Sequence, residues 1–188
     1  TIHLSNLCTE ITLPQDKNNI ATCNLVSINL SAFLGEDKTW DWNRLKEAAR
    51  AAVRQLDNLC DITQTPIPEA MHSNQQTRAI GLGIMGLSDV LEKLGYCYES
   101  KEAYDLVDQL TEFISYHAID QSADLAKKLG SYPTFAGSGW SKGILPIDTV
   151  DKLSKDRGVK VKIDQKTRLD WDGLRKKVKK GMRNATLM

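Results

Sequence analysis

The segment IATCNLVSINL, residues 20–30, decides the fold class. It carries apolar side chains on both of its faces, whereas a strand with one face in water alternates apolar and polar residues. Strands that are buried on both faces occur chiefly in parallel sheets and barrels. Because helical patterns separate this segment from the other extended runs, the sequence predicts an α/β fold.

An earlier run, LSNLCTEI at residues 4–11, alternates in a different way. If it is extended, Asn6, Cys8 and Glu10 point to the same side, with neighbours within roughly 7 Å of each other. The pattern alone favours a half-buried strand with a polar outer face. A surface strand, however, has no need of a thiol between an amide and an acid. Cys8 is therefore the candidate for a chemically active cysteine.

Length and composition bound the remaining possibilities. The 188 residues are 41% hydrophobic and 26% charged, which is typical of one soluble globular domain. The sequence shows neither a membrane-spanning apolar run nor the start of a signal peptide, so we expect a cytoplasmic protein without a membrane partner. The cysteines form no CxxC pair and the histidines are scattered, so we expect no metal site. Cys60 and Cys97 are interpreted as packing or surface thiols.

Charge is distributed unevenly along the chain. Residues 151–188 contain 13 Lys and Arg against 5 Asp and Glu, a net +8, which leaves −7 for residues 1–150. A basic tail can bind nucleic acid or an acidic partner, so a non-enzymatic helical interaction module is the alternative function. Leu174 and Val178 instead indicate the apolar stripe of a short solvated helix at about 170–183. Because no aromatic residue interleaves with the lysines, we expect no nucleic-acid binding.

Three further helices are predicted from periodicity and capping residues. The first follows Asp41, a plausible N-cap, and ends before Pro66. A shorter helix covers about 88–94 and ends at Gly95. The longest spans 101–129 between Ser100 and Gly130, and His117 on its apolar stripe is expected to be a partly buried histidine rather than a ligand.

The glycines of RAIGLGIMGLSDVL match the spacing GxGxxG of dinucleotide-binding proteins. Gly81, Gly83 and Gly86 would need a buried strand directly before them, and the preceding MHSNQQT is polar. We therefore reject that function, since glycines before a helix can equally permit close backbone packing.

Several segments together resemble the large (α) subunit of ribonucleotide reductase. They are SNLCTEI, ATCNLVSINL, RAIGLGIMGLSDVL, YPTFAGSGWSKGILPIDT, LDW and GMRNATL, in this order. The similarity runs through nearly all 188 residues, and GILPIDT is more similar to the class I, diphosphate-reducing members.

The resemblance implies a ten-stranded α/β barrel, with a finger loop at about 4–12 that carries Cys8 into its centre. Cys8 would become the thiyl radical that abstracts the 3′ hydrogen, Glu10 would take the 3′-hydroxyl proton, and Asn6 would hydrogen-bond the sugar hydroxyls. Cys23 would be one of the two thiols that reduce the substrate. Without the resemblance, its surroundings in the sequence favour a buried structural cysteine. The implied substrate contacts are Asn6, Leu7, Cys8, Thr9 and Glu10.

The same resemblance implies the partners. They are a ribonucleoside diphosphate, the remaining parts of the large subunit, a small radical-generating metallo-subunit, and a dithiol reductant such as thioredoxin or glutaredoxin. No cofactor is expected on this chain itself. Residues 1–188 are expected to be a segment of the catalytic barrel domain. The amino-terminal regulatory and carboxy-terminal parts would be absent, and the chain alone would be inactive.

Overall fold

The computed structural model describes residues 3–5, 12–161, 163 and 166–187. The finger-loop prediction depends on residues 6–11, which lie outside the described residues. The described elements are β1 (Asn24–Asn29), α1 (Trp42–Ile62), α2 (Pro68–Thr77), β2 (Ile80–Met85), α3 (Leu87–Leu94), α4 (Lys101–Leu129), α5 (Gly139–Lys142), α6 (Thr149–Arg157) and α7 (Trp171–Val178). Short 3₁₀ turns lie at Leu30–Phe33, Pro133–Phe135 and Pro146–Asp148.

The two strands form a parallel pair, as the predicted α/β class requires. Asn24 pairs with Ile80 and Asn29 with Met85, and α1 and α2 make the crossover between the strands. The chain near its end runs along the other edge of β2. The Ile80 N–H donates to the Thr186 carbonyl at 3.3 Å, and the Leu82 N–H donates to the Leu187 carbonyl at 2.8 Å. Both partners advance together along the sequence, so this third segment is also parallel.

The helices cover one face of this sheet. α1 packs against β1, β2 and the long helix α4, and α7 packs against α4. The predicted caps are confirmed, because Asp41 accepts from the Arg44 N–H and Ser100 accepts from the Ala103 N–H. Gly95 and Gly130 end α3 and α4 as predicted. The predicted stripe on the basic tail is also confirmed, since Leu174 and Val178 are buried.

Strand β1 differs from the prediction in its burial. Ile28 faces the helices and is 6% exposed, whereas Leu25 on the opposite face is 57% exposed. Apolar residues on both faces of a strand indicate that both faces are buried once the strand is fully packed. The described residues cover one face of β1 and leave the other exposed to solvent.

Three helices, α2, α5 and α6, and one strand, β2, were not predicted. Pro68 occupies the first turn of α2, where a missing N–H costs nothing. α5 and α6 lie between Gly130 and the helix predicted at about 170–183. Gly81 and Gly83 lie inside strand β2 rather than in a loop before a helix. Their place within a strand supports rejecting the dinucleotide fingerprint.

Gly86 has a separate role at the joint between β2 and α3. Its φ is +75°, and a Cβ there would lie 2.6 Å from Asn29 Oδ1 and 2.9 Å from Ser31 Oγ. Only glycine fits both the backbone angle and the space. Across the described part of the chain, none of the helices has the length and apolarity needed to cross a bilayer.

Candidate functional site

Cys23 lines a cleft of about 480 Å³ on the sheet face that the helices leave open. Its side chain is half-buried, and its Sγ lies 3.8 Å from the Asn24 carbonyl oxygen. The walls of the cleft come from the segment before β1, from both strands and from the end of the chain. The residues that line it are Thr12, Leu13, Cys23, Leu25, Val26, Ser27, Ile80, Gly81, Leu82, Gly83 and Thr186.

The residue after Cys23 fixes the direction in which the thiol points. Asn24 faces α1, where its Nδ2 donates to the Cys60 Sγ at 3.7 Å, a weak bond because the acceptor is sulfur. Since successive side chains of an extended backbone alternate, Cys23 faces the opposite side and reaches the cleft. This hydrogen bond therefore holds the start of β1 against α1.

The other described cysteines do not share this cleft. Cys60 is 3% exposed, and burial raises the pKa of its thiol despite the nearby Arg78 charge. It lies on the helix side of the sheet, so it cannot face Cys23. Cys97 is exposed in the turn after α3. The interpretation of both as packing or surface thiols is confirmed.

Glycines of β2 leave the floor of the cleft without side chains. A Cβ on Gly81 would lie 2.4 Å from Leu25 Cδ2 and 3.5 Å from Cys23 Sγ. A Cβ on Gly83 would lie 3.4 Å from Ser27 Oγ. The missing side chain at Gly81 makes room for the Leu25 side chain beside the thiol, and the one at Gly83 leaves room beside Ser27.

The predicted catalytic residues Asn6, Cys8 and Glu10 lie outside the described residues, as do the predicted contacts Leu7 and Thr9. The chain that follows them is described, and Thr12 and Leu13 line the same cleft as Cys23. Of the predicted site residues, Cys23 lies in the described part of the chain, and it lines this cleft.

A buried ionic network lies beneath the sheet, and sequence reasoning missed it. Asp57 on α1 is 1% exposed and accepts hydrogen bonds from Arg78 Nε at 2.9 Å and from Arg183 Nε at 3.2 Å. Arg78 also donates to the Asp57 carbonyl and to both carboxylate oxygens of Asp61. Buried charges of this kind are stable only when they are paired.

Asn184 joins the network to the end of the chain. Its Nδ2 donates to Asp57 Oδ1 and to the Arg78 carbonyl, both at 3.1 Å. Its Oδ1 accepts from the Ser122 hydroxyl on α4 at 2.8 Å. The network therefore holds the starts of RAIGLG and RNATL together, next to the strand that forms the cleft floor.

The ion pairs of this network favour the charged forms of Arg78 and Asp61. Burial lowers the pKa of Arg78, but the hydrogen bonds to Asp61 and the Asp57 charge outweigh it, so the pKa is raised overall. The Arg78 guanidinium in turn lowers the pKa of Asp61. Arg78 has a left-handed backbone with φ of +47°, which costs a non-glycine residue about 1–2 kcal/mol. Its ion pairs hold it there.

Part of the basic tail is neutralised inside the chain. Lys177 on α7 forms ion pairs with Asp120 and with Asp124 of α4, the latter at 2.9 Å. Arg175 pairs with Asp148. Because these cations already stabilise the packing of α7, they give no particular support to the alternative of an interaction module.

His117 is a buried histidine, as predicted. It is 8% exposed and contacts the rings of Phe113 and Tyr116. Burial, with a contribution from the Lys46 charge, lowers its pKa to about 4. Among the described residues, His, Cys, Asp and Glu side chains form no group of three that could hold a metal ion.

Comparison with known proteins shows the family to which the whole chain is similar. The family model described as "Ribonucleotide reductase, barrel domain" matches residues 1–188. The chain is 43% identical to the ribonucleoside-diphosphate reductase subunit alpha of Chlamydia pneumoniae, covering 100% of this chain and 18% of the relative. It is 40% identical to the large subunit of Variola virus and 36% identical to that of Danio rerio, covering 23% and 22% of them.

The matched relatives are much longer than this chain, which spans about a fifth of their length. The match nevertheless extends from the first to the last residue of the chain. It includes Cys23 and the run that contains Asn6, Cys8 and Glu10. The chain belongs to the ribonucleotide reductase family, within the part described as the barrel domain.

Proposed function

We propose that this chain is the part of a ribonucleoside-diphosphate reductase large subunit that carries the radical cysteine. One observation supports this most strongly. Cys23 lines an open cleft together with Thr12 and Leu13, the residues that directly follow the thiol, amide and acid run. In this proposal, Cys8, which lies fifteen residues before Cys23, acts with it on one ligand bound in the cleft.

In the proposed reaction, the run before the cleft acts on one side of the ribose. Cys8, as a thiyl radical, takes the 3′ hydrogen atom and later returns one. Glu10 accepts the proton of the 3′-hydroxyl, and Asn6 hydrogen-bonds the sugar hydroxyls. Leu7 and Thr9 would complete the contacts of this run with the substrate. Such chemistry needs a thiol, a base and an orienting amide held in one geometry, which alternate positions of one segment can supply.

Cys23 would supply reducing equivalents to the same substrate. The 2′-hydroxyl leaves as water, and two thiols lose two electrons and form a disulfide, which balances the reduction. The structure supports one of these thiols in the cleft. Cys60 lies on the other side of the sheet, so we propose that the second thiol comes from a part of the large subunit outside this chain.

The proposed surroundings are a ten-stranded α/β barrel, with residues 4–12 as the finger loop at its centre. The open face of β1 and β2 supports this architecture, because it exposes Leu25 and Met85 at 57% and 54%. Among the described residues, β1 has a strand partner on one edge only, so its other edge offers backbone groups to another strand. Further strands of the large subunit would pair with this edge and close the barrel around the open face.

The proposed partners follow from this chemistry. They are a ribonucleoside diphosphate, the remaining parts of the large subunit, a small metallo-subunit that generates the radical, and a dithiol reductant such as thioredoxin or glutaredoxin. We propose the cytoplasm as the compartment, since it keeps such thiols reduced. The chain by itself is expected to give no sustained turnover.

The test is nucleotide reduction by the assembled enzyme with Cys8→Ser. Serine is close to cysteine in size, but its O–H bond is too strong for reversible hydrogen transfer. We expect deoxynucleotide formation to fall by at least about a thousandfold, the range typical of a lost nucleophilic or radical group. Cys97→Ser is the matched control and should retain parental activity. Turnover by Cys8→Ser within about tenfold of the parent would refute the assignment.

A further inference from the structure

The glycine pattern of β2 is not explained by the reduction chemistry itself. Gly81 and Gly83 lie opposite Leu25 and Ser27 in the parallel register. Both glycines have ordinary strand conformations, so their backbone angles do not require glycine. What they supply is space on the open face of the sheet.

Leu25 occupies the space over Gly81. A Cβ there would be only 2.4 Å from Leu25 Cδ2, which is far inside contact distance. The same point lies 3.5 Å from Cys23 Sγ, so the leucine side chain and the thiol converge above this one glycine. Leu25 is nevertheless 57% exposed and contributes little to the core. An apolar side chain in this position forms a wall beside the thiol.

We propose that Leu25, seated on Gly81, is a positioning residue that limits the approach of a ligand to the Cys23 thiol. The inference deepens the proposed function, because the ligand there would be the ribose of the substrate. A sugar ring presents an apolar C–H surface, which Leu25 would contact while the hydroxyls face the polar side chains. Gly81 makes this possible, since any side chain at that position would displace Leu25.

The inference can be measured on the full chain without turnover. In separate reactions, Cys23 is alkylated with a small reagent, iodoacetamide, and converted to a mixed disulfide with a bulky one, 5,5′-dithiobis(2-nitrobenzoate), which releases 2-nitro-5-thiobenzoate. The modified peptide is quantified by mass spectrometry. Exposed Cys97 serves as the internal reference. We expect Leu25→Ala to raise the ratio of bulky to small reagent rates at Cys23 by at least about fivefold, since the wall is removed.

Met85→Ala is the matched control. Met85 lies on the same strand face as Gly81, and its exposure of 54% is close to the 57% of Leu25. It does not line the cleft. It should leave the ratio at Cys23 unchanged. A ratio in Leu25→Ala within about twofold of the parent would overturn the inference, and so would an equal rise in Met85→Ala.

Gly81→Ala tests the same contact by changing the residue on which Leu25 packs. The added methyl group should push Leu25 towards the thiol and slow the bulky reagent by about fivefold or more. The double variant Gly81→Ala with Leu25→Ala should recover most of that rate, and no recovery would overturn the inference. If Gly81→Ala fails to fold by circular dichroism, Leu25→Ala still decides. These rates are measured without turnover, so the inference and the proposed reductase function can fail separately.

Discussion

Asp57→Asn should destabilise the chain strongly although Asp57 touches no part of the cleft. The carboxylate accepts hydrogen bonds from Arg78, Arg183 and Asn184 at 2.9, 3.2 and 3.1 Å. Asparagine keeps the shape but removes the negative charge, and its NH₂ group would face donors. Arg78, itself 6% exposed, would then lose one of its two anionic partners.

The magnitude follows from how much of the network survives. Breaking a buried ion pair by removing one partner costs about 3–5 kcal/mol. Arg78 keeps its two hydrogen bonds to Asp61, at 2.6 and 2.9 Å. We therefore expect the lower end, a loss of about 3 kcal/mol in the free energy of unfolding. For a chain of this size that corresponds to a fall in Tm of roughly 6–12 °C.

The assay is urea unfolding followed by circular dichroism at neutral pH. Asp156→Asn is the matched control, because Asp156 makes an exposed i, i+4 pair with Lys152 on α6. Such a pair contributes less than about 0.5 kcal/mol. The reasoning is refuted if Asp57→Asn unfolds within about 1 kcal/mol of the parent, or if the two variants lose equal stability.

Two further predictions concern His117 and Gly86. The pKa of His117 is lowered to about 4 by burial and then by Lys46, whereas an unfolded histidine titrates near 6.5. The unfolded state therefore binds the proton first, and stability should fall by about 2 kcal/mol between pH 6.5 and 5. His117→Gln should lose this part of the pH dependence of stability. The prediction would be contradicted if the urea midpoints of both proteins fell by the same amount between these two pH values. Gly86→Ala should cost more stability than Gly95→Ala. Both glycines have positive φ, but only at Gly86 would a Cβ meet two side-chain oxygens, at 2.6 and 2.9 Å. Equal Tm values would contradict this.

Local signals in the sequence predicted the helices α1, α3, α4 and α7. Asp41 and Ser100 are N-caps because their side chains bond backbone N–H groups three residues on, which depends on nothing distant. Gly95 ends α3 for a similarly local reason. Strand β2 was missed because a glycine-rich run has no strand periodicity of its own. It becomes a strand by pairing with β1, more than fifty residues earlier.

The site was predictable only in part. Cys23 is predicted as a site residue only through the resemblance of its segment to a family, because its own surroundings in the sequence favour a structural cysteine. The ionic network joins Asp57 to Arg183 and Asn184 across more than 120 residues, so no spacing in the sequence indicates it. The one signal in the sequence is that Arg78 begins the segment RAIGLG and that Arg183 and Asn184 begin the segment RNATL.

The most direct test of the proposed chemistry separates the two cysteines by the fate of the 3′ hydrogen. A ribonucleoside diphosphate tritiated at the 3′ carbon is incubated with the assembled enzyme, and tritium release, free base and deoxynucleotide are measured. Cys23→Ser should still release tritium and base while making no deoxynucleotide, because hydrogen abstraction by Cys8 precedes the reduction. Cys8→Ser should release neither. Normal deoxynucleotide yield from Cys23→Ser, or tritium release from Cys8→Ser, would contradict the account.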